Sequence, residues 1–377
     1  MKRKEFLEMS GLVLAGTLAP GRTARAALAK AGLAGAAGGC RIEAKIYEVK
    51  LRHAWTLSRG TWNTRRNVIV RIEKDGVFGL GESAPIARYN ESAESGLAFI
   101  EKAKPVLQKD LWSFHDRWNE IDALAPGEHA AKAALDLAIL DWIGKKLGVP
   151  VYRLFGLNPS KELVTTMTIA IDEVPVMQEK IREAADFLVY KIKVGTDNDR
   201  KIIEGCRAAT DKPFRVDANE GWKDKEQALE MIRWMAGLNV ELMEQPMPAD
   251  RLDDIAWIKE RSPLPIFADE SLMMTADLPR IAAAFHGVNV KLMKCGGIQE
   301  AVRIAAMARA LGLKLMLGCM VETSIGISAA AAVGPLFDYL DLDGNVLITN
   351  DPFKGVRTEK GRILLNDKPG LGVEGPF

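Results

Sequence analysis

Three carboxylates, each standing where an apolar, β-prone run stops, constrain this chain most. Asp217 lies in Val216-Asp217-Ala218-Asn219, Glu244 in Met243-Glu244-Gln245-Pro246 and Asp269 in Ala268-Asp269-Glu270-Ser271. The intervals between them, 27 and 25 residues, suit one strand, one helix and two loops. That is the repeat of a (β/α) barrel, which carries its reacting groups at the C-terminal ends of its strands. Lys191-Ile192-Lys193 and Lys291 end similar runs.

The alternation extends well beyond these positions. Strands are expected at Val164–Ile171, Val189–Val194, Phe214–Asp217, Leu242–Glu244, Ile266–Ala268, Gly287–Lys291, Lys314–Leu317 and Tyr339–Asp341. Helices are expected between most of them, for example Lys225–Ala236 and Ile298–Ala310. A different pattern precedes residue 161. Period-two alternation over Arg41–Val49, Asn67–Glu73 and Val77–Glu82 predicts an antiparallel meander. Helices follow over 92–108 and His129–Leu147, the second with Leu135, Ala138, Ile139, Trp142 and Ile143 on one stripe and Gly148 as its stop. The 377 residues exceed one ordinary core. They divide into a leader and linker (1–40), an α+β domain (41–160), an α/β barrel (161–345) and a tail (346–377) that returns to the α+β domain.

A net charge of +1 supplies no basic field, so nucleic acid is not an expected partner. Four cysteines without CxxC spacing argue against zinc and against a disulfide framework. Lys2-Arg3-Lys4, the short apolar run Leu12–Ala19 and Ala24-Arg25-Ala26 have the form of an export signal, and Arg3-Lys4-Glu5-Phe6-Leu7 is close to a twin-arginine motif. The chain is therefore expected in the periplasm. Cys40 follows a poor lipobox, so a lipid anchor is not expected there. No stretch is long and apolar enough for a transmembrane helix. A homo-oligomer is compatible with the sequence.

Asp217, Glu244 and Asp269 offer only oxygen ligands, which favours Mg²⁺ over zinc. Lys193 and Lys291 are the candidate acid/base pair. A nearby dication and a neighbouring lysine both disfavour further positive charge and would lower their pKa values. Lys191, on the same side of its strand as Lys193, can take part in that effect or donate to an oxyanion. Lys294 reads as a solvated charge. A metal facing a substrate carboxylate would stabilise the enediolate left when an α-proton departs, and lysines on its two faces would give epimerisation. Asp341-Leu342-Asp343 on the last strand adds two more acids, more than a metal site needs. A substrate ammonium would balance them.

As a set, Lys191-Ile192-Lys193, Asp217-Ala218-Asn219-Glu220-Gly221-Trp222, Glu244-Gln245-Pro246, Asp269-Glu270-Ser271, Lys291-Leu292-Met293-Lys294-Cys295-Gly296-Gly297 and Asp341-Leu342-Asp343 resemble the enolase superfamily. Within its muconate-lactonising subgroup they resemble the dipeptide epimerases. The resemblance implies a (β/α)7β TIM-like barrel under an N-terminal α+β capping domain. It implies Lys193 and Lys291 as catalysts, Asp217, Glu244 and Asp269 as Mg²⁺ ligands, and Asn219 and Glu270 as residues supporting those ligands. The aspartate pair Asp341 and Asp343 would hold the α-ammonium of a dipeptide, with Lys191 and Thr168 as further substrate contacts. Loops at about 55–66 and 84–91 would close over the site. Arg59 falls near a family arginine that pairs with a glutamate side chain, and the same loop carries Arg65 and Arg66. The alternatives are another reaction of the subgroup (a cycloisomerase, or an o-succinylbenzoate synthase/N-acylamino acid racemase) and an exported dipeptide-binding protein without catalysis.

Overall fold

A computed structural model describes residues 39–377, so the leader-like segment lies outside the described residues. Among the described residues, no helix is long and apolar enough to cross a membrane.

The first layer is a three-stranded antiparallel sheet, β1 (Arg41–Leu57), β2 (Gly60–Lys74) and β3 (Val77–Ser83). Helices α1 (Ala93–Leu107) and α3 (His129–Leu147) cover it, and α2 (Phe114–Asp122) packs on those two. β1 and β2 run further than their alternation predicts. The segment expected as a loop at 55–66 is the outer end of their hairpin. Trp55 pairs with Trp62 and Leu57 with Gly60, after an irregularity between Lys50 and Trp55. Barrel groups hold this end in place: Ile171 N donates to Thr56 O at 3.0 Å and Ser58 Oγ to Asn219 O at 3.3 Å. A sequence pattern does not register support of that kind.

The apolar stripe expected on α3 is a full circumference. Every residue from Ala130 to Gly144 is buried. One side of the helix packs on β3 and another packs on the barrel, where Gln299 Nε2 and N donate to the two oxygens of Asp136 at 2.7 and 3.2 Å. β3 approaches so closely that a Cβ on Gly81 would stand 1.8 Å from Ala134 O, and one on Gly79 2.0 Å from Ala138 O. Gly148, at φ 70°, ends α3 in the left-handed conformation that glycine adopts without strain.

The second layer is an eight-stranded parallel sheet in sequence order: β4 (Thr166–Ile169), β5 (Val189–Lys193), β6 (Phe214–Asp217), β7 (Val240–Glu244), β8 (Ile266–Ala268), β9 (Gly287–Lys291), β10 (Lys314–Gly318) and β11 (Tyr339–Asp341). Each of the first seven is followed by helix. These are α4 (Val174–Glu183), α5 (Asp199–Ala209), α6 (Lys225–Ala236), α7 (Leu252–Arg261), a single turn at Leu278–Ile281, α8 (Ile298–Ala310) and α9 (Ser324–Val333). The result is a (β/α)7β barrel. β11 and β4 meet through side chains: Thr166 Oγ1 donates to Asp341 at 2.5 Å, Thr168 N to Asp343 at 2.6 Å and Leu342 N to Thr165 Oγ1 at 2.7 Å.

Cap and barrel are tied by Glu82, which is wholly buried at the N-terminus of α9. Its carboxylate accepts from Thr323 N, Thr323 Oγ1, Gly326 N and Asn67 Nδ2. The positive end of the helix dipole faces this negative group. The tail also crosses to the cap: Val151 N donates to Gly370 O, and Leu371 N to Asp141.

Because β3 rests directly on the α3 backbone, Gly81→Ala is expected to lower the unfolding free energy by about 2–3 kcal/mol. Urea denaturation measures this, and an unchanged midpoint would mean the two backbones are free to separate.

Candidate active site

Counting from β4, Lys191 and Lys193 stand on strand two, Asp217, Glu244 and Asp269 on or just after strands three to five, Lys291 on strand six, and Asp341 on strand eight with Asp343 just beyond it. In a closed ring of eight, strands two and six are diametrically opposed, as are four and eight. The acidic triad therefore occupies one side of the barrel mouth and the aspartate pair the other. Lys193 and Lys291 lie across the line joining them.

The triad carboxylates offer one oxygen each, all within 4.8 Å of one another, and are buried without a histidine or cysteine beside them. Three hard donors converging on one point fit a magnesium-like dication. The rims of β6, β7 and β8 are locked together to hold this shape. Gln245 Oε1 accepts from Asp269 N at 2.9 Å and Ser271 N at 3.2 Å, and Asn219 N donates to Asp217 Oδ1 at 2.8 Å. Asn219, Glu220 and Gln245 all have positive φ, an uncommon backbone state for such residues that occurs where a site dictates the turn. Asn219 Nδ2 donates to Glu270 at 3.1 Å, and both residues line the cavity beside the triad.

Four lysines interleave with these acids. Lys193 bonds Asp217 at 2.6 Å and Lys291 bonds Asp269 at 2.7 Å. Lys191 is held by three carboxylates. It lies at 3.1 Å from Asp217, 2.8 Å from Glu244 and 2.7 Å from Asp341. The solvated reading of Lys294 does not hold. Its ammonium is buried, 2.6 Å from Asp269 Oδ1, and also donates to Asn289 O at 3.1 Å, while Asn289 Nδ2 donates to Glu244 at 2.9 Å. Its place three residues after Lys291, on the first turn beyond β9, is the signal that could have revealed it.

The electrostatics follow from this packing. Burial alone would raise Asp217 and Asp269. The lysines beside each outweigh it and hold both below the usual carboxylate range. Glu244 is pushed up to about 8 by burial and by Asp217. Asp343 is pushed up to about 6 by burial and by Asp341. Burial favours a neutral Lys291, yet Asp269 reverses this and raises it. The chain's own groups therefore do not depress this lysine as expected, because each positive charge here has a carboxylate in contact. Six carboxylates (the triad, Glu270, Asp341 and Asp343) are interleaved with four lysines and Arg59, so the acids here are largely met by cations of the chain itself.

The cavity over these groups is lined by Thr168, Lys191, Lys193, Asn219, Asp269, Glu270, Lys291, Asp341 and Asp343 from the barrel, together with Cys319, Met320 and Val321. The cap contributes Trp55, Leu57, Arg59, Arg65, Ile86 and Tyr89. Arg59 reaches Glu270 at 2.8 Å and Glu220 at 3.2 Å. Arg66 turns to the opposite face of β2 and pairs with Glu94 at 2.5 Å on the surface. A larger cavity of about 380 Å³ lies beside α4, sharing Trp55, Thr168 and Leu347, but it contains no comparable convergence of acids and bases.

Residues 41–156 match the mandelate racemase/muconate lactonizing enzyme N-terminal domain, and residues 176–375 match the enolase C-terminal domain-like model. The chain belongs to the enolase superfamily. It is 47% identical over 328 residues to an L-Ala-D/L-Glu epimerase of Bacteroides thetaiotaomicron, covering 87% of this chain and 86% of that one. Its fold matches a substrate-liganded complex of the L-Ala-D/L-Glu epimerase from Bacillus subtilis with a TM-score of 0.85 at 32% identity, covering 89% of this chain and 98% of that one. A dipeptide epimerase from Enterococcus faecalis, complexed with Mg and L-Leu-L-Tyr, matches with a TM-score of 0.85 at 31% identity over 89% and 99% of the two chains. This enolase-superfamily member is an isomerase.

Proposed function

We propose that the protein is a Mg²⁺-dependent dipeptide epimerase of the L-Ala-D/L-Glu type, inverting the α-carbon of the C-terminal residue. One observation carries this reading. Asp341 and Asp343 face the triad across the barrel, with Lys193 and Lys291 on the two strands between. A dipeptide has an ammonium for the aspartates and a carboxylate for the triad side, and its C-terminal α-carbon then falls between the lysines.

Asp217, Glu244 and Asp269 would hold Mg²⁺, whose positive charge would stabilise negative charge building on the substrate carboxylate. One lysine, as the free amine, takes the α-proton. The C–H electron pair moves into the carboxylate, giving a planar enediolate. The other lysine, as ammonium, returns a proton to the opposite face, and the two exchange roles in reverse. Asp343 accepts from Thr168 N at 2.6 Å, which holds its carboxylate where β4 meets β11.

The leader supports placement in the periplasm, where peptides from cell-wall turnover supply L-Ala-Glu. The basic residues, the apolar run and Ala24-Arg25-Ala26 favour this reading. Mass spectrometry of periplasmic protein is expected to find a chain starting at Ala27. A full-length chain confined to the cytoplasm would contradict it.

Conversion of L-Ala-L-Glu to L-Ala-D-Glu, followed by chiral chromatography, is expected to need Mg²⁺ and to stop with EDTA. Lys193→Ala and Lys291→Ala are each expected to lose on the order of 10³-fold or more in conversion. Each should still exchange the α-hydrogen of one diastereomer, and the diastereomer should differ between them. A folded Lys291→Ala that epimerises normally would remove the two-base assignment.

A further inference from the structure

Two guanidinium groups face the cavity from the cap, and they differ in what holds them. Arg59 is engaged by Glu270 and Glu220, and Glu220 is further bound by Arg88 at 2.9 Å. The Arg65 side chain lines the same cavity, half-buried, and its guanidinium makes no hydrogen bond or ion pair among the described residues. Its guanidinium lies over the Trp62 ring at 4.1 Å. Burial, followed by the nearby charge of Arg59, pulls its pKa down to about 10. A cation removed from water beside another cation is destabilised until an anion meets it.

Geometry indicates which part of a substrate would meet it. The enediolate plane lies across the line from Lys193 to Lys291. Its carboxylate points to the triad on strands three to five and its nitrogen to the aspartate pair of strand eight. Lys191 and its partners fill the barrel below. The side chain of the reacting residue is left one direction, upward into the cap. Arg65 is close enough to Arg59 to feel its charge, and Arg59 stands over Asn219 and Glu270 on the triad side.

We infer that Arg65 is the specificity-determining residue for the epimerised position, pairing its guanidinium with a side-chain carboxylate of the C-terminal residue. The inference rests on the epimerase reading above. It moves to Arg65 the pairing that family resemblance assigns to Arg59, whose charge is already matched by carboxylates of the chain itself. Arg65 is a planar fork fixed on a strand and stacked on an indole, a geometry suited to bidentate carboxylate binding.

The test is the ratio of kcat/KM for L-Ala-L-Glu to that for L-Ala-L-Gln, a neutral substrate of the same shape, in the Mg²⁺-loaded enzyme. Wild type is expected to favour the glutamate. Arg65→Met is expected to lower the ratio at least 20-fold, mainly through KM for the glutamate, and Arg65→Lys, which keeps the charge but not the fork, to recover only part of it. Arg59→Met, acting through Glu270, is expected to lower both substrates together. A wild type indifferent to the charge, an unchanged ratio in Arg65→Met, or a ratio that collapses in Arg59→Met instead would overturn the inference while leaving the epimerase intact. A wild type that epimerises neither dipeptide would overturn the epimerase reading and this inference with it.

Discussion

The lysine–carboxylate lattice at the barrel mouth is the interaction on which this molecule depends. Buried charges are costly unless each is paired, and here they are paired in a connected set: Lys193 with Asp217, Lys191 with Asp217, Glu244 and Asp341, and Lys291 and Lys294 with Asp269. Removing one member leaves another uncompensated. On the proposed reading the same set holds the dication, carries the two protons and receives the ammonium. Structure and chemistry thus draw on the same residues, and the strand order assigns their positions.

The barrel side of this arrangement was largely legible in the sequence. Strand ends announce themselves as apolar runs closed by a charged residue, and their spacing gives the barrel repeat. The triad, Lys193, Lys291 and the aspartate pair all occupy such ends. Residues whose role depends on a tertiary neighbour were less visible. Lys294 appears as one more charge until β9 turns it beneath Asp269. Gln245 becomes a clamp only because a left-handed backbone aims its amide at the β8 rim. α3 shows a stripe because its sequence cannot report that the barrel covers its other side.

The cap illustrates the same limit. The stretch from 50 to 66 carries no clean alternation, so the hairpin end reads as loop; contacts with Ile171 and Asn219 give it a fixed shape. Spacing alone also cannot distinguish Arg59, Arg65 and Arg66. Strand alternation sends Arg66 outward to Glu94, acids on the barrel engage Arg59, and Arg65 is left facing the cavity. Cap and barrel line one cavity together, and Glu82 joins the two at the start of α9.

The central claim is that the α-carbon of a dipeptide's C-terminal residue sits between two lysines that move its proton. ¹H NMR of L-Ala-L-Glu in D₂O with the Mg²⁺-loaded protein tests it most directly. The account predicts loss of the glutamate α-proton signal, appearance of L-Ala-D-Glu, and retention of the alanine α-proton. Retention of both α-protons with no new diastereomer would contradict it.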